Sequence, residues 1–88
     1  MKIGLKVLEN KIIVVIGSEG LLGRPFVKAI HNSGGIPICV DILDTPFSDF
    51  EYIKSDITKK DNVTYIISQV KTKYGKIDAV VNTVLAPV

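Results

Sequence analysis

The sequence contains one cysteine, one histidine and no tryptophan. A lone thiol, Cys39, has no partner for an internal disulfide, and one histidine beside it assembles no metal cluster. Cys39 lies in an apolar run and reads as a buried packing residue. Charge of one sign is nowhere concentrated: 11 basic and 9 acidic residues leave a net charge of +2, and the basic ones are scattered along the chain. That pattern excludes the clustered basic face of a nucleic-acid binder. No apolar run approaches the roughly 20 residues of a membrane span. Residues 1–11 are interrupted by Lys2, Lys6 and Lys11 and hold no signal-peptide core. These absences lead us to expect a cytoplasmic chain with no nucleic-acid or membrane partner and no metal.

What is present suits one small globular domain, 1–88, since 47% of the residues are hydrophobic and 23% charged. Residues 12–16 (Ile-Ile-Val-Val-Ile) form an unbroken β-branched run, the pattern of a strand covered on both faces. A glycine turn follows, then a helical stripe of Leu22, Phe26, Val27 and Ile30, with Pro25 placing the helix start near Leu22. Gly34 and Gly35 stop that helix. His31, late in it, reads as a surface or helix-end residue and not as a catalytic base. Residues 36–40 give a second buried strand ending at Asp41, with Pro37 at its start. Residues 43–51 have loop chemistry, and 52–55 a short third strand. Asp56 and Thr58 are placed to cap a second helix. Val63, Ile66, Ile67, Val70 and Tyr74 trace its buried stripe, Gly75 ends it, and 77–81 make a fourth strand. Alternation of this kind predicts an α/β fold of three layers, a parallel sheet of four strands ordered 3-2-1-4 with helices on both faces. That is half of a doubly wound, Rossmann-type sheet, whose ligand crevice opens where the strand order reverses, between strands 1 and 4. Gly17 and Asn82 end those two strands.

The chemistry-bearing segment is Gly17-Ser18-Glu19-Gly20-Leu21-Leu22-Gly23. Glycines here let the chain reverse sharply and approach a diphosphate without Cβ atoms in the way. The N–H groups at the start of the following helix, aided by its dipole, suit an anion. Asp41 stands 24 residues beyond Gly17 at the end of strand 2. A carboxylate there accepts hydrogen bonds from ribose hydroxyls and repels a 2′-phosphate. Asp44 adds to that repulsion, and no Lys or Arg lies between Gly35 and Asp49. NAD is therefore preferred over NADP. Asp56 either faces the adenine amino group or caps the second helix. Asn82 either lies beside the adenosine or braces the sheet.

These residues resemble the N-terminal third of a short-chain dehydrogenase/reductase. The likeness rests on the three glycines, Asp41, Asp56-Ile57-Thr58, and Tyr74-Gly75-Lys76-Ile77-Asp78 leading into Val80-Val81-Asn82. It implies a cofactor site formed by Gly17, Ser18, Glu19, Gly20, Leu21, Leu22, Gly23, Asp41, Asp56, Ile57 and Asn82. It also implies hydride transfer with an alcohol or carbonyl substrate. The glycine spacing departs from the family's commoner T-G-x-x-x-G-x-G and is closer to its extended or atypical branches, which include nucleotide-sugar enzymes. Thr83, Val84 and Leu85 replace Asn-Ala-Gly after Asn82. The family's catalytic Tyr-x-x-x-Lys is absent, because Asp56, Gln69 and Asp78 stand four residues beyond Tyr52, Tyr65 and Tyr74. No catalytic residue is assigned, and the chain reads as the cofactor-binding portion of a longer enzyme. A non-catalytic nucleotide-binding module and a Rossmann-fold interaction element remain the alternatives. Val80, Val81, Val84 and Leu85 would form an apolar edge, slightly blunted by Pro87, open to self-association or to the rest of an enzyme.

Overall fold

The computed structural model describes residues 6–84. Six elements follow in order: β1 (Ile12–Ile16), α1 (Gly23–Asn32), β2 (Ile36–Asp41), β3 (Glu51–Lys54), α2 (Lys60–Tyr74) and β4 (Ala79–Asn82). All strand pairs are parallel and the order is β3-β2-β1-β4, as the alternation predicts.

The sheet is covered on both faces, which explains why β1 tolerates no polar residue. Strand pleating sends alternate side chains to opposite sides. Ile12, Val14 and Ile16, with Ile38 and Val40, meet Ile66 and Val70 of α2. Ile13, Val15 and Cys39 meet Val27 and Ile30 of α1 on the other face. Cys39 is 1% exposed. Burial pushes its thiol up to about 11, outweighing the hydrogen bond with Ser18, so it is a protonated packing group at neutral pH.

The buried face of α1 differs from the expected one. Gly23, Val27 and Ile30 face the sheet, whereas Leu22 and Phe26 are exposed. The spacing of four and then three is preserved, but its first member is a glycine, which an apolar count overlooks. Pro25 falls in the first turn, where its missing N–H costs nothing. In α2, Ile66 and Val70 are fully buried, and Val63, Ile67 and Tyr74 are half-buried. Gly75 closes the helix in the left-handed region at φ 81°. Asp56 and Thr58 do not cap α2. Lys59 holds that position without a side-chain hydrogen bond. The Asp56 Oδ1 instead accepts the Thr58 N–H and hydroxyl, closing a local turn one step earlier.

Strands β3 and β4 are displaced from 52–55 and 77–81. Glu51 enters β3 because it pairs in register with Ile38. In front of β4, Asp78 acts as a side-chain continuation of the ladder. Its N–H donates to Ile12 O, and its Oδ2 accepts the Ile12 N–H at 2.7 Å. Regular pairing then starts at Ala79. Among the described residues β4 is a sheet edge, with Ala79 and Val80 exposed and Val81 packed toward the α1 side. Leu85 and Pro87 lie outside the described residues. No described helix is long and apolar enough to cross a membrane.

The Asp78 contact gives an acid-sensitive tether. The Ile12 N–H, followed by the Lys76 ammonium, holds the Asp78 carboxyl below its ordinary 3.8. A lowered folded value means that the stabilisation is complete above the ordinary value and is lost as pH falls through the lowered one. Urea titrations of the native chain should therefore lose stability below about pH 4. Asp78→Asn should flatten that part of the profile, and an unchanged slope would remove Asp78 from the account.

Candidate functional site

At the carboxyl ends of β1, β2 and β4 the glycine turn, Asp41, the 55–58 turn and Thr83 come together. Gly17 has φ +83°, a conformation other residues adopt at a cost, and a Cβ there would overlap Thr83 Oγ1 and sit 2.8 Å from Val84 Cγ2. Gly23 is constrained from the opposite side. A Cβ on it would overlap Gly17 O and lie 2.7 Å from the Gly17 carbonyl carbon. Gly20 is different in kind: the nearest atom to its Cβ position is Gly17 O at 3.4 Å, an ordinary contact. Two glycines thus close the turn on itself, and the third leaves room in front of it. That room is a hollow of about 310 Å³ lined by Gly17, Gly20, Leu21, Leu22, Asp41 and Thr83.

Polar groups fall into two sets around this hollow. The Gly17 and Ser18 N–H groups donate to Val40 O, and the Gly20 N–H donates to Gly17 O, so they hold the turn together. The Arg24 N–H donates to Gly20 O and closes the first helical turn. Among the described residues the Leu21 and Leu22 N–H groups meet no acceptor, and both residues are exposed at the helix start. An anion in the hollow would face those two donors and the positive end of α1. A cradle with space before Gly20 and open donors beside it fits a diphosphate.

Asp41 borders the hollow, but it is also a brace. Its Oδ2 accepts the Glu19 N–H at 2.9 Å and its Oδ1 the Ile42 N–H at 2.7 Å. Each oxygen retains a lone pair for a hydroxyl donor. A second hollow of about 170 Å³ continues from Gly17 and Asp41 to Ser55, Asp56 and Ile57. The Thr58 hydroxyl first, then its backbone N–H, holds the Asp56 carboxyl below the usual range, so it is an acceptor at neutral pH. Asn82 braces its own turn, with Oδ1 accepting the Val84 N–H. It lines neither hollow.

Ser18 and Glu19 support the turn from behind, with their side chains 1% and 5% exposed. The Ser18 hydroxyl donates to Glu19 Oε2, and Glu19 Oε1 accepts the Phe47 N–H at 2.6 Å. Thr83 and Lys54 are two residues sequence reasoning missed. The Thr83 hydroxyl donates to Ile16 O and Gly17 O and carries β4 across the end of β1. A polar residue following a strand gives no sign of that reach. Lys54 lies opposite Asp41 in register, and its ammonium pairs with Asp44. Asp44 is therefore charge-matched, which weakens the repulsion of a 2′-phosphate expected from it.

Tyr52 and Tyr74 are both pushed above the ordinary phenol value, first by burial. For Tyr74 the Lys73 ammonium acts in the opposite direction but is outweighed. The Tyr74 hydroxyl donates to Glu51, which also pairs with Lys73. Among the described residues no group of His, Cys, Asp and Glu could hold a metal.

No family model matches the chain. The post-translational flagellin modification protein A of Campylobacter coli is 35% identical over 88 aligned positions, which take in 86% of this chain and 34% of that protein. Among solved structures, the aldohexose dehydrogenase of Thermoplasma acidophilum superposes with a TM-score of 0.83 at 28% identity, covering 91% of this chain and 31% of that one. A short-chain dehydrogenase from Leptospira borgpetersenii, solved with bound NAD+, shares the fold with a TM-score of 0.81 at 21% identity, over 100% of this chain and 37% of that one. The chain spans about a third of the length of the relatives it matches.

The two kinds of glycine should separate by mutation. Gly23→Ala forces its Cβ into the Gly17 carbonyl and should destabilise the chain by about 3 kcal/mol. Gly20→Ala should change stability by less than about 1 kcal/mol, since its site is open and its φ is not positive. Chemical denaturation of both variants checks this; equal losses would mean that Gly20 is also a packing glycine.

Proposed function

Since this chain is related to the short-chain dehydrogenase/reductases along their N-terminal third, we propose that it binds the adenosine diphosphate side of a nicotinamide dinucleotide, NAD in preference to NADP. The observation that carries this reading is the hollow before Gly20, with the open Leu21 and Leu22 N–H groups on one side and the Asp41 carboxylate on the other. The turn leaves the diphosphate room, and the two N–H groups donate to it. Asp41 accepts from the ribose hydroxyls through its remaining lone pairs. Asp56 and Ile57 border the adenine side, Asp56 as an acceptor for an amino group. When bound, the dinucleotide supplies or receives the hydride.

Asp41 disfavours a 2′-phosphate in two ways. Its charge repels the phosphate. Its oxygens also occupy the Glu19 and Ile42 N–H groups that could otherwise receive an anion. For the activity, we propose an oxidoreductase of the short-chain dehydrogenase kind, of which this chain is the cofactor-binding portion, 1–88. An alcohol or carbonyl substrate of sugar-like character is favoured by the likeness to the aldohexose dehydrogenase.

Titration calorimetry with NAD and NADP tests the reading. NAD should bind more tightly than NADP, and no binding of either at millimolar concentration would end it. Asp41→Ala should weaken NAD about tenfold, from the loss of hydrogen bonds to a charged acceptor, and narrow its advantage over NADP. Gly20→Ala should weaken both dinucleotides together, because its methyl group enters the space they share.

A further inference from the structure

Residues 43–50 cross the outer flank of α1 as an irregular strap between β2 and β3. Three contacts fix it there. The Phe47 N–H donates to the buried carboxylate of Glu19. The Arg24 guanidinium lies 3.7 Å from the centre of the Phe47 ring. The His31 and Phe50 rings stand 4.8 Å apart. Glu19 is the residue where the strap, the glycine turn and Asp41 meet. Its carboxylate takes the strap, its N–H donates to Asp41 Oδ2, and its carbonyl accepts the Arg24 Nε–H at 2.8 Å.

A carboxylate that is 5% exposed is costly to bury and is kept only with donors around it. Glu19 has two, the Ser18 hydroxyl and the Phe47 N–H. A side chain held so firmly also fixes its own main chain, and with it the N–H against which Asp41 rests. Asp41 has no other described support for its Oδ2.

We propose that Glu19 is a positioning residue. By holding the 43–50 strap with its side chain it sets the orientation of the Asp41 carboxylate, and so the affinity for the ribose, without touching the cofactor itself. The last step rests on the dinucleotide reading above; the link from strap to Asp41 does not.

Two substitutions test it in the full chain. Glu19→Met fills a similar volume but accepts no hydrogen bond, whereas Glu19→Gln keeps an acceptor for the Phe47 N–H. Amide hydrogen exchange, measured without cofactor, should be about tenfold faster at residues 19, 42 and 47 in the Met variant and nearly native in the Gln variant. NAD should bind about fivefold more weakly to the Met variant, and in an Asp41→Ala background the same substitution should add nothing, the mark of action through Asp41. Native protection of residues 19 and 42 in the Met variant would overturn the proposal, as would an undiminished NAD effect without Asp41. If the native chain binds no NAD, the cofactor reading falls, and the exchange rates alone decide whether Glu19 positions Asp41.

Discussion

The close approach of Gly23 to the carbonyl of Gly17 is the constraint on which the remainder depends. Only a residue without Cβ can bring the start of α1 that near to the end of β1. Once it does, Val27 and Ile30 fall one and two turns along the same face and seal one side of the sheet. The helix start is left at the carboxyl end of the strands, with the Leu21 and Leu22 N–H groups just before it meeting no acceptor among the described residues. The other flank of α1, carrying Arg24 and His31, then receives the strap. Thr83 completes the arrangement by tying β4 to the same carbonyls from the far side. A helix seated further out would lose the seal over Val15 and Cys39 and the cradle together.

Much of this was legible because burial on both faces leaves a simple trace. Residues 12–16 and 36–41 could be read as strands, and the crossover rule for parallel strands then leaves few sheet orders. The ends of β3 and β4 were not legible, because they depend on pairing partners distant in sequence. Asp78 reads as a polar residue inside a strand, yet its side chain takes a ladder hydrogen bond and delays β4 to Ala79. The helix stripe was misread at its first position for a related reason: Gly23 is as buried as Val27, but glycine carries no hydrophobic signal. The glycine turn follows β1 and Asp41 ends β2, as the strand pattern indicates. The resemblance places Glu19 at the cofactor, and nothing in the sequence shows that its side chain is buried behind the turn. A glutamate in a polar turn is expected in water, and only the strap, 28 residues along the chain, shows why it turns inward.

That inward turn bears on how a site of this kind can discriminate between two ligands differing by one phosphate. Local charge is a poor guide here, since Lys54 neutralises Asp44 and lies opposite Asp41 in register. On the proposed reading, the charge of Asp41 acts with little help from Asp44, and donor occupancy adds to it. The Glu19 and Ile42 N–H groups converge on the Asp41 carboxylate, so neither is open to a second anion. On that reading, a 2′-phosphate would have to displace a carboxylate held by two backbone donors as well as approach its charge. Selectivity of this origin is a property of backbone placement, and it should respond to whatever fixes residue 19. On the proposed reading, the buried acid behind the turn bears on the cofactor through the half-buried acid beside it.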